Sequence, residues 1–173
     1  NLYTDAVYIE IRKLPTKKWE FFSALMIQGF YQNMRRQDFM MDRAYKIPDR
    51  NVAFCDTEQE WDCIDIMDRQ VFLVSEMVRQ IFSMYEKRIS YKFFCCLNNR
   101  TGAYINYYAP IIPQLDCLAE KRSIRLKKEK IGDSSIFRVK NAEKEMVVVR
   151  LDVAESLLRR NVKGIVWNRI VLA

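Results

Sequence analysis

The sequence predicts an α+β fold: an N-terminal strand, two to three helices including a long central helix at about residues 58–88, and then a mainly antiparallel sheet. Three patterns carry that expectation. Apolar and polar residues alternate near the N-terminus, apolar residues recur at three and four positions through the first half, and short apolar runs broken by turn residues fill the second half. Half of the 173 residues are hydrophobic, 13% are aromatic, and only four glycines and four prolines occur. That composition reads as a single domain, residues 1–173, with a real core and little material for long loops.

Residues 5–14, DAVYIEIRKL, alternate: Val7, Ile9 and Ile11 point one way, Tyr8, Glu10 and Arg12 the other. This is a strand with one buried face. Leu14-Pro15-Thr16 stops it, because proline cannot continue a ladder and threonine can cap a helix. From Thr16 the period changes, and Trp19, Phe22, Met26, Phe30 and Met34 recur as a helical stripe widened by Phe21 and Leu25. Lys17, Lys18, Arg35, Arg36 and Arg43 sit at its ends, so the aromatics read as core and the charges as solvated. Met40 and Met41 continue in a short second helix ending before Pro48.

Thr57-Glu58-Gln59-Glu60 has the form of a capping box. Ile64, Met67, Val71, Val74, Val78, Ile81 and Tyr85 follow at alternating spacings of three and four, giving a helix roughly 45 Å long. Leu73, Met77, Phe82 and Met84 lie off that seam, so a buried central helix is favoured over a coiled coil. ISYKFFCCLNN and GAYINYYAPII flank Asn98–Gly102 as a hairpin, closed by Pro110 and Pro113. A helical turn near QLDCLAE, strands at RSIRLKKE, SSIFRVKN and EMVVVRLD, a short helix VAESLLRRN and a final strand GIVWNRIVL complete the reading.

Much chemistry is excluded. The chain has no histidine, hence no Ser-His-Asp or Cys-His arrangement and no histidine base. No GxxxxGK[ST] or GxGxxG loop occurs. Cys55, Cys63, Cys95, Cys96 and Cys117 are odd in number and contain no CxxC pair. Reduced thiols in the cytoplasm or nucleus are therefore expected, with no metal site and no cofactor. Asn99-Arg100-Thr101 spells a glycosylation sequon, but in a reducing compartment it reads as a turn. No apolar run approaches the ~20 residues of a transmembrane segment, and no signal-peptide layout is visible. The chain opens on Asn1 rather than Met, which reads as a fragment or a processed form.

Charge is distributed unevenly. Residues 1–120 carry 15 Lys and Arg against 16 Asp and Glu, whereas residues 121–173 carry 14 against 6. The last third therefore holds all of the excess positive charge and points to an anionic partner. Two constellations stand out. The acidic one runs from Asp56 to Asp68; Glu58, Asp62 and Asp65 share a helix face, either complementing the helix dipole or forming a docking patch for a basic partner or a weak Mg²⁺ or Ca²⁺ site. The basic one comprises Lys121, Arg122, Arg125, Lys127, Lys128, Lys130, Arg138 and Lys140. If its two strands pair through KIGDS, Arg125, Lys127, Arg138 and Lys140 form a square of cations above Ile124, Leu126, Phe137 and Val139. The plain alternative is a solvated outer face whose lysines discourage edge pairing. No aromatic residue interleaves the basic face, so contact with backbone phosphates or lipid headgroups fits better than base readout.

These features suggest a non-enzymatic intracellular module that binds an anionic partner, RNA or DNA backbone above all, through its basic C-terminal sheet face. The alternative is a self-associating structural protein, the acidic helix start of one copy meeting the basic sheet of another, with a protein partner or peripheral membrane contact also compatible. A metal-dependent nucleic-acid enzyme stands a distant third, for want of an Asp followed by a Glu-x-Lys triplet. The layout of a strand, a basic turn, an aromatic helix and a basic, sheet-rich remainder resembles the globular part of rhabdovirus matrix proteins. That resemblance implies a viral structural protein bridging nucleocapsid and membrane. The chain departs from the family in its mid-chain long helix and in lacking a proline-rich loop.

Overall fold

A computed structural model describes residues 7–13, 26–27, 34–55, 64–68 and 70–173. In chain order its elements are β1 (Tyr8–Lys13), β2 (Met26–Ile27), β3 (Arg50–Cys55), β4 (Ile66–Asp68), β5 (Phe72–Val74), α1 (Glu76–Tyr85), β6 (Ser90–Asn98), β7 (Tyr104–Ile111) and β8 (Gln114–Leu115). They continue as β9 (Leu118–Glu120), β10 (Arg125–Leu126), α2 (Lys128–Ile131), β11 (Ile136–Val139), β12 (Val147–Arg150), α3 (Leu151–Arg159) and β13 (Ile165–Leu172). The expected α+β layout with a long central helix is wrong: the protein is mostly β, with short helices. Its strands form a seven-stranded sheet ordered β8-β11-β12-β1-β13-β10-β9 and a six-stranded sheet ordered β2-β3-β6-β7-β5-β4.

The helix expected at about 58–88 fails for a definite reason. Ile66 and Met67 of β4, and Phe72, Leu73 and Val74 of β5, send alternate side chains into two different cores. A strand buried on both faces reads as an unbroken apolar run, and its period of two disappears from the sequence. The chance spacing of Ile64, Met67, Val71 and Val74 then imitates a helix. The true start lies at Ser75, whose hydroxyl accepts from the Val78 amide at 3.3 Å. From there Val78, Ile81 and Phe82 are buried along one face of α1, while Met77 and Met84 are exposed. The capping box at Thr57-Glu58-Gln59-Glu60 lies outside the described residues. So does most of the aromatic helix expected at 16–34, but Met26–Ile27 is a strand paired with β3. The second helix at Met40 and Met41 is replaced by two 3-10 turns, Arg36–Phe39 and Ala44–Lys46.

The helical turn expected near QLDCLAE is replaced by the short strands β8 and β9. The strand expected at RSIRLKKE is reduced to Arg125–Leu126 of β10 before α2 begins at Lys128. Several other elements match their patterns. β6 and β7 form the hairpin around Asn98–Gly102, with Phe94 opposite Tyr107 and Cys96 opposite Ile105. Gly102 closes it with a positive φ of 72°. β1 lies at the centre of the larger sheet, antiparallel to both β12 and β13. Its second face is covered as well, a departure from the expected one-sided strand. Tyr8 packs with Leu126, Ile131, Phe137 and Met146, so the segment from Leu115 to Ile131 roofs that face. On the opposite face Ile11, Val147 and Val149 share one core with β5, α1 and α3, and this core joins the two sheets. Cys55, Cys95, Cys96 and Cys117 are free thiols; burial pushes Cys96 up to about 12.

Side chains on α1, β6 and β7 tie that helix to the six-stranded sheet. The Arg79 guanidinium lies 5.0 Å from the Tyr108 ring and 6.0 Å from the Tyr91 ring, while Arg79 donates to Glu76. The bond from Arg79, ahead of one from Tyr108, lowers the Glu76 carboxyl to about 2. A depressed folded-state value stabilises above the unfolded value and is lost as pH falls through the folded one. The stability gap between the parent and Glu76→Gln should therefore be full at pH 6 and close as pH falls from 4.5 towards about 2. Melting temperatures across that range check this; a gap that persists unchanged at pH 2 contradicts it.

Candidate anion-binding site

The basic segment is shaped by two anchors. Leu126 and Ile131 are buried against Phe137 and Met146, and the Lys127 amide donates to the Cys117 carbonyl at 2.7 Å. With positions 126 and 131 turned inward, Arg125, Lys127, Lys128 and Lys130 are left facing solvent. Lys121 and Arg122 are exposed on the turn between β9 and β10. Six of the eight expected basic residues thus form one exposed ridge. Among the described residues, Lys121, Arg122, Arg125, Lys127 and Lys130 have no side-chain hydrogen-bond or ion-pair partner.

The expected square of cations does not form. β10 and β11 are separated in the sheet by β12, β1 and β13, because residues 128–131 turn helically and carry the chain across the sheet face. A KIGDS hairpin would have kept the two strands adjacent. Lys140 is exposed at the far end of β11, away from β10 in the strand order, and Ile124 is only half-buried. Arg138 is 5% exposed, since β11 is covered on both faces. Its guanidinium stacks 5.6 Å from the Phe72 ring and lies 3.5 Å from Glu145. Burial lowers its pKa, opposed by Glu145 and Asp68. Arg36 completes the cluster, bonding Asp68 at 2.6 Å and Glu145 at 2.8 Å. This is an ionic joint between the two sheets, not a binding surface.

The acidic constellation changes similarly. Glu58 and Asp62 lie outside the described residues. Asp65 is no part of a helix: its carboxylate accepts from the Ser75 hydroxyl and the Lys163 amide, each at 2.7 Å. It ties β4 and the start of α1 to the lead-in of β13, and is already engaged within the fold.

One cavity adjoins the ridge. It has a volume of about 180 Å³ and lies where the end of β1, the β9–β10 turn and the β11–β12 turn meet. Arg12, Lys121, Arg122 and Lys144 line it, with Glu143 as its lone carboxylate and Leu118, Ile124 and Met146 among its apolar walls. Arg12 is positioned by a 2.7 Å contact with the buried Glu10, and that hydrogen bond raises its pKa. The sequence concealed this site. Lys144 sits between Glu143 and Glu145, which outweigh it in any charge count, and Arg12 belonged to a strand face expected to be open. Among the described residues no group of three or more Cys, Asp and Glu is placed to hold a metal, and no helix is long and apolar enough to cross a membrane. No protein-family model and no curated protein matches the chain.

Proposed function

We propose that the protein is a non-enzymatic binding module whose exposed basic ridge, residues 121–130, holds the phosphate backbone of RNA or DNA. The observation that supports this reading is the outward display of Lys121, Arg122, Arg125, Lys127, Lys128 and Lys130 on a segment whose apolar residues are anchored in the core. Closely spaced Lys and Arg side chains release condensed counterions when they meet a polyanion, which drives association without reading sequence. No aromatic side chain interrupts residues 121–130, so the ridge offers no platform for stacked bases. The absence of histidine from the chain fits binding better than general acid–base chemistry.

The test is a variant carrying Glu at positions 121, 122, 125, 127 and 130. Because these side chains are exposed, folding should change little. Fluorescence anisotropy should show affinity for single-stranded RNA and duplex DNA falling at least about a hundredfold, equally for unrelated sequences. A folded variant that binds both as tightly as the parent refutes the reading.

A further inference from the structure

We infer that the cavity between the β9–β10 and β11–β12 turns is a binding site for a phosphate monoester. Charge balance is the first argument. Arg12 already faces the buried carboxylate of Glu10, so the pair is locally neutral. Lys121, Arg122 and Lys144 then stand against Glu143 alone, leaving two positive charges unmatched. A monoester carries about −1.5 to −2 near neutral pH, whereas a carboxylate or an internal phosphodiester carries a single charge. A monoester matches the charge of the site.

Shape is the second argument. An internal phosphodiester is flanked by chain on both sides and suits an open ridge; a pocket of about 180 Å³ admits a terminal group. The two turns supply cations from different parts of the fold: Lys121 and Arg122 precede β10, Lys144 precedes β12, and β1 contributes Arg12. The planar guanidinium of Arg122 can hold two phosphate oxygens at once, while the lysines act as point charges. Leu118, Ile124 and Met146 offer an apolar wall to the carbon skeleton that carries the phosphate. Lys121 and Arg122 belong to both ridge and cavity, so the end of a strand lying along the ridge would reach the pocket.

The monoester has two sources: the terminal phosphate of a strand, which rests on the nucleic-acid reading, or a free mononucleotide, which does not. Titration calorimetry with adenosine 5′-monophosphate and adenosine, and with three RNA decamers of one sequence bearing a 5′-phosphate, a 3′-phosphate or neither, separates them. The monophosphate should bind and adenosine should not. One phosphorylated decamer should bind about tenfold to a hundredfold tighter than the plain one, the range for hydrogen bonds to a charged group. Lys144→Gln, which is off the ridge, should erase that advantage and leave the plain decamer unchanged. Monophosphate binding with three equal decamers supports the site with a free ligand as its source. Failure of the plain decamer to bind refutes the ridge alone. If neither the monophosphate nor a terminal phosphate is preferred, the inference falls. It falls equally if a polyglutamate peptide, and no phosphate probe, binds in a manner that Lys144→Gln weakens.

Discussion

Val74→Asp should abolish folding. Val74 is fully buried at the end of β5, opposite Tyr108 of β7 and Ile66 of β4. It packs in the core that joins both sheets, with Val78, Phe82, Ile136, Val149 and Leu157. Among the described residues this core is lined by apolar and aromatic side chains, so a carboxylate there would be cut off from water. Burying an unpaired polar group costs several kcal/mol even when the group protonates to avoid its charge. Total stability of a domain is only about 5–15 kcal/mol, and this position holds the two sheets together. The expected result is insoluble expression or a far-ultraviolet spectrum without a cooperative melt. A soluble Val74→Asp protein that melts cooperatively would mean that β5 lies at a surface.

The second large effect concerns the ionic joint of Arg36, Asp68, Arg138 and Glu145. Removing one partner from a buried pair costs about 3–5 kcal/mol, because the other charge is left uncompensated. The Glu145 side chain is 37% exposed, and solvent screening reduces the figure, so Glu145→Ala should cost about 2–3 kcal/mol in urea unfolding. Arg138→Met removes the buried charge and keeps most of the side-chain volume over Phe72; it should be within about 1 kcal/mol of the parent. Combining the two should recover most of the loss from Glu145→Ala, since Arg36 retains Asp68. If the double variant is as unstable as the sum of its parts, Glu145 and Arg138 are energetically independent.

What could be read in the sequence depended on how many faces an element buries. The β6–β7 hairpin had polar turn residues at Asn98–Gly102, and α3 had apolar spacing on one face with Val153, Ala154 and Leu157 inward. Both were legible. β4, β5 and β11 are covered on both faces, which removes the alternation that marks a strand. The same two-sided burial explains the error at Arg138. Strand alternation put Phe137 and Val139 inside, as they are, but assumed that the opposite face met water. At Glu10 and Tyr8 the assumption failed again, because the segment that roofs β1 arrives more than a hundred residues later. Lys121 to Lys130 stood out because six cations lie close in sequence. The cavity did not, because its cations come from three separated segments.

The most direct test of the central claim is the salt dependence of nucleic-acid affinity. For duplex DNA, the logarithm of the association constant should fall linearly with the logarithm of salt concentration, by about 0.9 per phosphate contact. Lys127→Ala and Lys130→Ala should each flatten that slope by about one unit, and the double variant by about two, with no change in sequence preference. A slope that is the same in the parent and in both variants would show that the ridge does not touch the backbone, and would contradict the account.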